Sequence, residues 1–145
     1  MDIFGLLLED HARARAFADG LGKNAEGVGG ESWSRFREEW EIHARAEEKF
    51  LYPCLESDAG ARGLAQAARE GNRRVRGLLK EMEGRGPWGA RRVAELKRAL
   101  ADLEAMEKRR LYRRAARLLG PEEAEHLALE VEGFREELML LIRAA

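Results

Sequence analysis

An all-α protein is predicted, an antiparallel up-and-down four-helix bundle with an additional C-terminal helix. Three observations predict it. Apolar residues recur at steps of three and four along most of the chain, which is the spacing of one helix face. Glycine and proline clusters break these stretches at helix-length intervals. No stretch alternates apolar and polar residues long enough to argue for a strand.

The first helix is expected from about Asp2 to Asp19, with Ile3, Leu7, His11, Ala14 and Ala18 on one face and Gly20 ending it. The glycine-rich stretch GLGKNAEGVGG follows. Ser32 is then the expected N-cap of a second helix whose face carries Phe36, Trp40, His43, Glu47, Phe50 and Leu51. That helix should stop at or before Pro53, since a proline ring clashes with the carbonyl one turn back. A third helix follows Asp58 and runs to about Glu83, aligning Leu64, Ala68, Asn72, Val75, Leu79 and Met82. GRGPWG closes it, and Pro87 suits the start of a fourth helix. This one extends to Leu119, with Val93, Leu96, Leu100, Leu103, Glu107, Leu111 and Leu118 inward. Gly120 and Pro121 set off a last helix carrying Leu127, Val131, Phe134, Leu138 and Leu141, packed across the bundle or used in self-association.

At 145 residues the chain suits one domain with a single core, the bundle at about 2–119 and the extra helix at about 121–145. The near balance of 26 basic against 27 acidic residues gives no pull toward nucleic acid or anionic membranes. NRRVR and KRRLYRR are interleaved with glutamate and apolar residues and read as solvated helix faces. The apolar run LMLLI is too short to span a bilayer. Cys54 is the sole cysteine, which excludes an intrachain disulfide and a cysteine-based zinc site. It reads as a part-buried residue, with the cytoplasm as the expected location. MDIFGLLLEDH places acids around its apolar run and reads as a helix start rather than a signal peptide. The tryptophans read as packing residues and His126 as a surface group.

The second helix poses a problem, because its core face carries a histidine and a carboxylate in EIHARAEEKFLYP. An internal echo sharpens it. Shifting residues 43–53 by 60 sets Glu47 over Glu107, Leu51 over Leu111 and Tyr52 over Tyr112, with His43 over Leu103. Shifting residues 9–18 by 61 sets Glu9 over Glu70 and His11 over Asn72. The chain thus reads as two related helical hairpins. The first keeps two inward histidines and an acid, and the second keeps only the acid.

Histidine and glutamate at i and i+4 point the same way and can grip one metal ion. His11 one helix away and Glu107 on the fourth helix would complete two nitrogen and two oxygen donors, a set that suits iron, manganese or zinc. No serine or cysteine nucleophile with a base partner is evident, and no catalytic residue is assigned.

EDH in the first helix and HARAEEKFLYP in the second resemble the hemerythrin-like, or HHE cation-binding, family over residues 2 to 119. The resemblance implies a four-helix bundle around a carboxylate-bridged di-iron centre. The family's helix-one and helix-two histidines fall on His11 and His43, and its bridging acids on Glu47 and Glu107. Where it has histidines in helices three and four, this chain has Asn72 and Leu103. The expectation is therefore an incomplete di-iron centre holding one iron, manganese or zinc ion, with water or Asn72 filling a vacancy. The implied role is iron or oxygen handling or sensing, with the metal, dioxygen and a homodimer mate as partners.

A metal-free bundle acting as a structural or interaction module is the alternative. Arg110, three residues after Glu107, would then neutralise it. A buried carboxylate with no cation costs several kcal/mol, so a metal, Arg110 or a protonated histidine must be close.

Overall fold

The computed structural model describes residues 1–21, 31–83 and 89–144. The rest of the glycine-rich stretch, Pro87 and Trp88 lie outside the described residues. Five helices are described, and the bundle forms a closed ring in which the first helix packs on the second, the second on the third, the third on the fourth and the fourth on the first. The fifth lies against the first and second.

The first helix, Ile3–Gly20, is capped by Asp2, whose carboxylate accepts from the Gly5 N–H at 2.9 Å. The second is already helical at Glu31, so Ser32 lies within its first turn and is not the cap. It is α-helical over Glu31–Ala46, makes a π turn over Glu47–Leu51 and resumes as α-helix over Tyr52–Glu56. It therefore runs past Pro53. The π turn shifts the backbone hydrogen-bond register, the Glu48 carbonyl accepts from Arg69 Nη2 at 3.4 Å, and Pro53 falls in the first turn of the resumed segment where proline is tolerated.

The third helix is Arg62–Met82. The fourth repeats the second: α-helix over Ala90–Met106, a π turn over Glu107–Leu111 and α-helix over Tyr112–Leu118. The echo in the sequence is thus an echo in the backbone, since each π turn begins at the matched glutamate. Two expected faces are corrected, one by the first π turn and one by the end of the fourth helix. Phe50 swings out of the bundle centre to pack edge-on against Phe134 at 5.5 Å. Leu118 is 39% exposed and Leu119 takes its place, because Leu119 leaves helical geometry with ψ 135° and turns inward.

The fifth helix, Pro121–Ala144, buries Ala124, Leu127, Ala128, Val131 and Leu138. Leu141 is exposed, contrary to expectation. At 3.6 residues per turn the stripe continues from Leu138 to half-buried Ile142, leaving Leu141 on the side.

The core has two apolar parts. One holds Leu7, Leu51, Leu55, Ala68 and Leu111, and the other Ala18, Phe36, Trp40, Val75, Leu96 and Leu103. Gly71 lets Leu103 approach the third helix, for a Cβ there would meet Leu103 Cδ1 at 2.6 Å. Between the two parts, all four bundle helices contribute a buried polar group: His11, His43 with Glu47, Asn72, and Glu107. Apolar packing above and below holds this polar layer in place.

Candidate metal centre

The polar layer brings together every residue that the sequence selects. His11, His43, Glu47 and Glu107 are all buried, and one ligating atom from each lies within 4.8 Å of the others. The two imidazoles face each other edge-on, with ring centroids 4.8 Å apart. His43 Nε2 is 2.8 Å from Glu47 Oε1, and His11 Nε2 is 3.4 Å from Glu107 Oε1.

These spacings suit a common ion. Ligands about 2.1 Å from a metal sit about 3 Å apart when adjacent and about 4.2 Å apart when opposite. The two pairs fall near the adjacent value, and the widest separation needs to shrink by about half an ångström. Three buried atoms in the layer lack a hydrogen-bond partner, Glu107 Oε1, His11 Nδ1 and Asn72 Oδ1. The first lies 3.4 Å from His11 Nε2 among the donors, where a cation would satisfy it. The donor set therefore fits one metal ion.

The surroundings orient the donors. His43 Nδ1 lies 2.9 Å from Asp10 Oδ2, and because a carboxylate only accepts, Nδ1 carries the proton and Nε2 is the atom turned to the centre. Asp10 accepts in turn from Arg13 at 2.6 Å and from Arg135 of the fifth helix. Tyr112 donates to Glu47 Oε2 at 2.8 Å and lies 3.2 Å from His11 Nε2. Tyr52 donates to Glu107 Oε2 at 2.9 Å and accepts from Asn72 Nδ2 at 3.2 Å.

None of Asp10, Tyr52, Tyr112 and Arg135 is assigned a role by sequence reasoning. Asp10 was visible in EDH and the tyrosines in the 60-residue echo. Arg135 stands four residues after Val131 and three before Leu138, and an arginine inside an apolar stripe was its only signal.

Burial and neighbouring charge divide the protons of the metal-free layer. Burial opposes charge on His43, but Glu47 and Asp10 outweigh it and raise its pKa to about 9. Burial, then the charge of His43, lowers His11 to about 4. Glu47, although burial opposes its charge, is held down at about 2 chiefly by His43. Burial and then the Glu47 carboxylate push Glu107 well above the usual range. The cation that balances this layer is thus His43. Arg110 does not serve, because the π turn carries it to the exposed face.

The second hairpin supplies no nitrogen to a second ion. Leu103 is apolar and packs into the core, and Asn72 turns its amide nitrogen to Tyr52. Beside Leu103 a cavity of about 220 Å³ reaches from the surface to His11, His43 and Glu107, walled by Ala14, Trp40 and Leu100. The exposed side chains of Arg15 and Asp19 stand at its mouth.

A family model for the hemerythrin HHE cation-binding domain matches residues 2–139. The chain belongs to that family. Comparisons with curated proteins and with solved structures find no match. The family match runs past Leu119 into the fifth helix, further than the likeness in the sequence motifs. This hemerythrin-type chain is therefore a helical bundle with a buried His/Glu group that could hold a metal ion. No helix among the described residues is long and apolar enough to cross a membrane.

Proposed function

We propose that this hemerythrin-type domain binds one metal ion through His11, His43, Glu47 and Glu107, with iron the first candidate and manganese or zinc the others. One observation carries the reading: the four donors converge in a buried layer in which Glu107 Oε1 is left without a partner. Imidazole and carboxylate donors together suit these ions. A bound iron would supply redox chemistry and an open coordination position.

The chain's own residues do the rest. Asp10 fixes the His43 tautomer, the two tyrosines hold the glutamates, and the apolar layers exclude bulk water. The cavity beside Leu103 gives a small molecule such as dioxygen a path to the site. Iron or oxygen handling or sensing follows as the role, with no catalytic residue assigned. The sole cysteine, Cys54, supports a reducing, cytoplasmic setting. Exposed Leu129, Leu140 and Leu141 on the fifth helix support pairing with a second copy, which sedimentation velocity would detect.

The test is anaerobic loading of untagged protein with Fe(II), followed by metal counting. One ion per chain, lost in His43→Ala, is the expected result. Two per chain would overturn the reading of Asn72 and Leu103.

A second reading is a metal-free structural or interaction module. It is favoured by the charge on His43, which already balances Glu47 without an ion. Failure to retain Fe(II), Mn(II) or Zn(II) would select it.

A further inference from the structure

We propose that Arg135 is a positioning residue for the metal centre, so that the fifth helix, outside the four-helix ring, forms part of the site. The proposal rests on the metal-binding reading above and concerns a residue that touches no donor directly.

The chain of contacts is short. Arg135 lies on the buried stripe of the fifth helix, its side chain 17% exposed. Its Nη2 donates to Asp10 Oδ2, the same oxygen that accepts from His43 Nδ1. His43 Nε2 then faces Glu47 Oε1. Three helices are joined in one line of polar contacts: fifth to first to second.

Arg13 also binds Asp10, yet it does a different job. It reaches Oδ1, the oxygen His43 does not use, from within the same helix and with its side chain half exposed. Arg13 trims the charge of Asp10 and reaches beyond its own helix only to the part-exposed Glu39, 3.7 Å from its Nε, so it leaves the oxygen that faces His43 unheld. Arg135 fixes the oxygen that orients the imidazole, and it is held there by the packing of Val131 and Leu138 on either side. A buried carboxylate stays ionised and in place only where donors match its lone pairs. Without Arg135, Asp10 can rotate toward Arg13 and solvent, releasing the Nδ1 proton of His43 and with it the direction of Nε2.

Such outer contacts commonly change metal affinity about 10- to 100-fold when lost. The coupling is reciprocal: if the docked fifth helix favours the metal, the metal favours the docked helix by the same factor.

The experiment compares Arg135→Gln and Arg135→Lys with the parent protein, using Co(II) as the probe for its visible spectrum. Gln loses both the charge and part of the reach but keeps a polar side chain that suits a helix, so folding is retained more readily than with alanine. Co(II) affinity is expected to fall about 10-fold or more in Arg135→Gln, with an altered visible band, and to recover in part in Arg135→Lys. In metal-free protein, the NMR signal of the His43 Nδ1 proton should be present in the parent and weakened or lost in Arg135→Gln. Folded Arg135→Gln with parental affinity, spectrum and His43 signal would overturn the proposal. If the parent binds no Co(II), the metal reading fails by itself, and the His43 signal still decides whether Arg135 positions that ring. Should Arg135→Gln not fold, the same two readouts on Arg135→Lys decide, an unchanged signal and affinity with the shortened reach counting against it.

Discussion

The Tyr112 hydroxyl donates to Glu47 Oε2 at 2.8 Å, a bond from the fourth helix to the second. Tyr52 answers it in the opposite sense, donating to Glu107 Oε2 at 2.9 Å. Each hairpin's tyrosine therefore holds the other hairpin's glutamate. The π turns make this arrangement available. In a uniform α-helix, residues five apart lie about 140° apart around the axis, so a glutamate and the tyrosine five later would face different ways. Here the Tyr52 N–H bonds the Glu47 carbonyl and the Tyr112 N–H bonds the Glu107 carbonyl, which closes the wider turn and brings both side chains to the core.

Removing either hydroxyl leaves a buried carboxylate oxygen short of a donor. Tyr112→Phe is expected to destabilise the metal-free protein by about 1–3 kcal/mol. Tyr52→Phe should cost at least as much, since it also strands the Asn72 amide. Urea denaturation of chelator-treated protein measures both; a change under a few tenths of a kcal/mol would show that the cross-donation contributes nothing.

His43 is both a donor to the ion and the cation of the metal-free layer, so His43→Ala should fail twice. Metal retention is lost. The metal-free variant, with Asp10 and Glu47 buried beside no imidazolium, is destabilised by about 3–5 kcal/mol. Thermal melts with and without metal separate the two effects, and an unfolded variant is replaced by His11→Ala, which removes a donor without removing that charge.

The pH response of the metal-free protein follows from His43. Its pKa is raised from 6.5 unfolded to about 9 folded, so the native state holds more protons between those values. Stability from this group is full below pH 6.5 and is lost as pH rises toward 9, by up to about 3 kcal/mol. Glu107, whose pKa is raised, pulls in the same direction. Denaturation midpoints at pH 7 and pH 9 test this; a midpoint that rises with pH contradicts the assignment. Metal binding should release protons at neutral pH, visible as a dependence of binding heat on buffer ionisation enthalpy.

Restoring the two nitrogens absent from the second hairpin should restore a second ion. Asn72→His combined with Leu103→His is expected to raise the count from one metal per chain to two, the cavity beside Leu103 giving its imidazole room. Elemental analysis after anaerobic Fe(II) loading reads it directly. A count that stays at one would mean that these two positions are not what limits the site.

The sequence alone determined the helices and most of their inner faces, because burying one face of a helix writes a 3.6-residue period into the chain. That period also aligned His43 with Glu47 and placed His11 and Glu107 inward, and the structure brings these four together. The period is blind to a change of phase. Two π turns moved Phe50 and Arg110 off the faces that uniform counting gives them and carried the second helix past Pro53.

Contacts between helices were also beyond it, for they depend on which faces pack together and at what height. Tertiary structure alone decided that Asp10 meets His43, that Arg135 reaches Asp10 across 125 residues of chain, and that His43 rather than Arg110 carries the balancing charge. Local spacing records what one helix presents; only packing fixes what it is presented to.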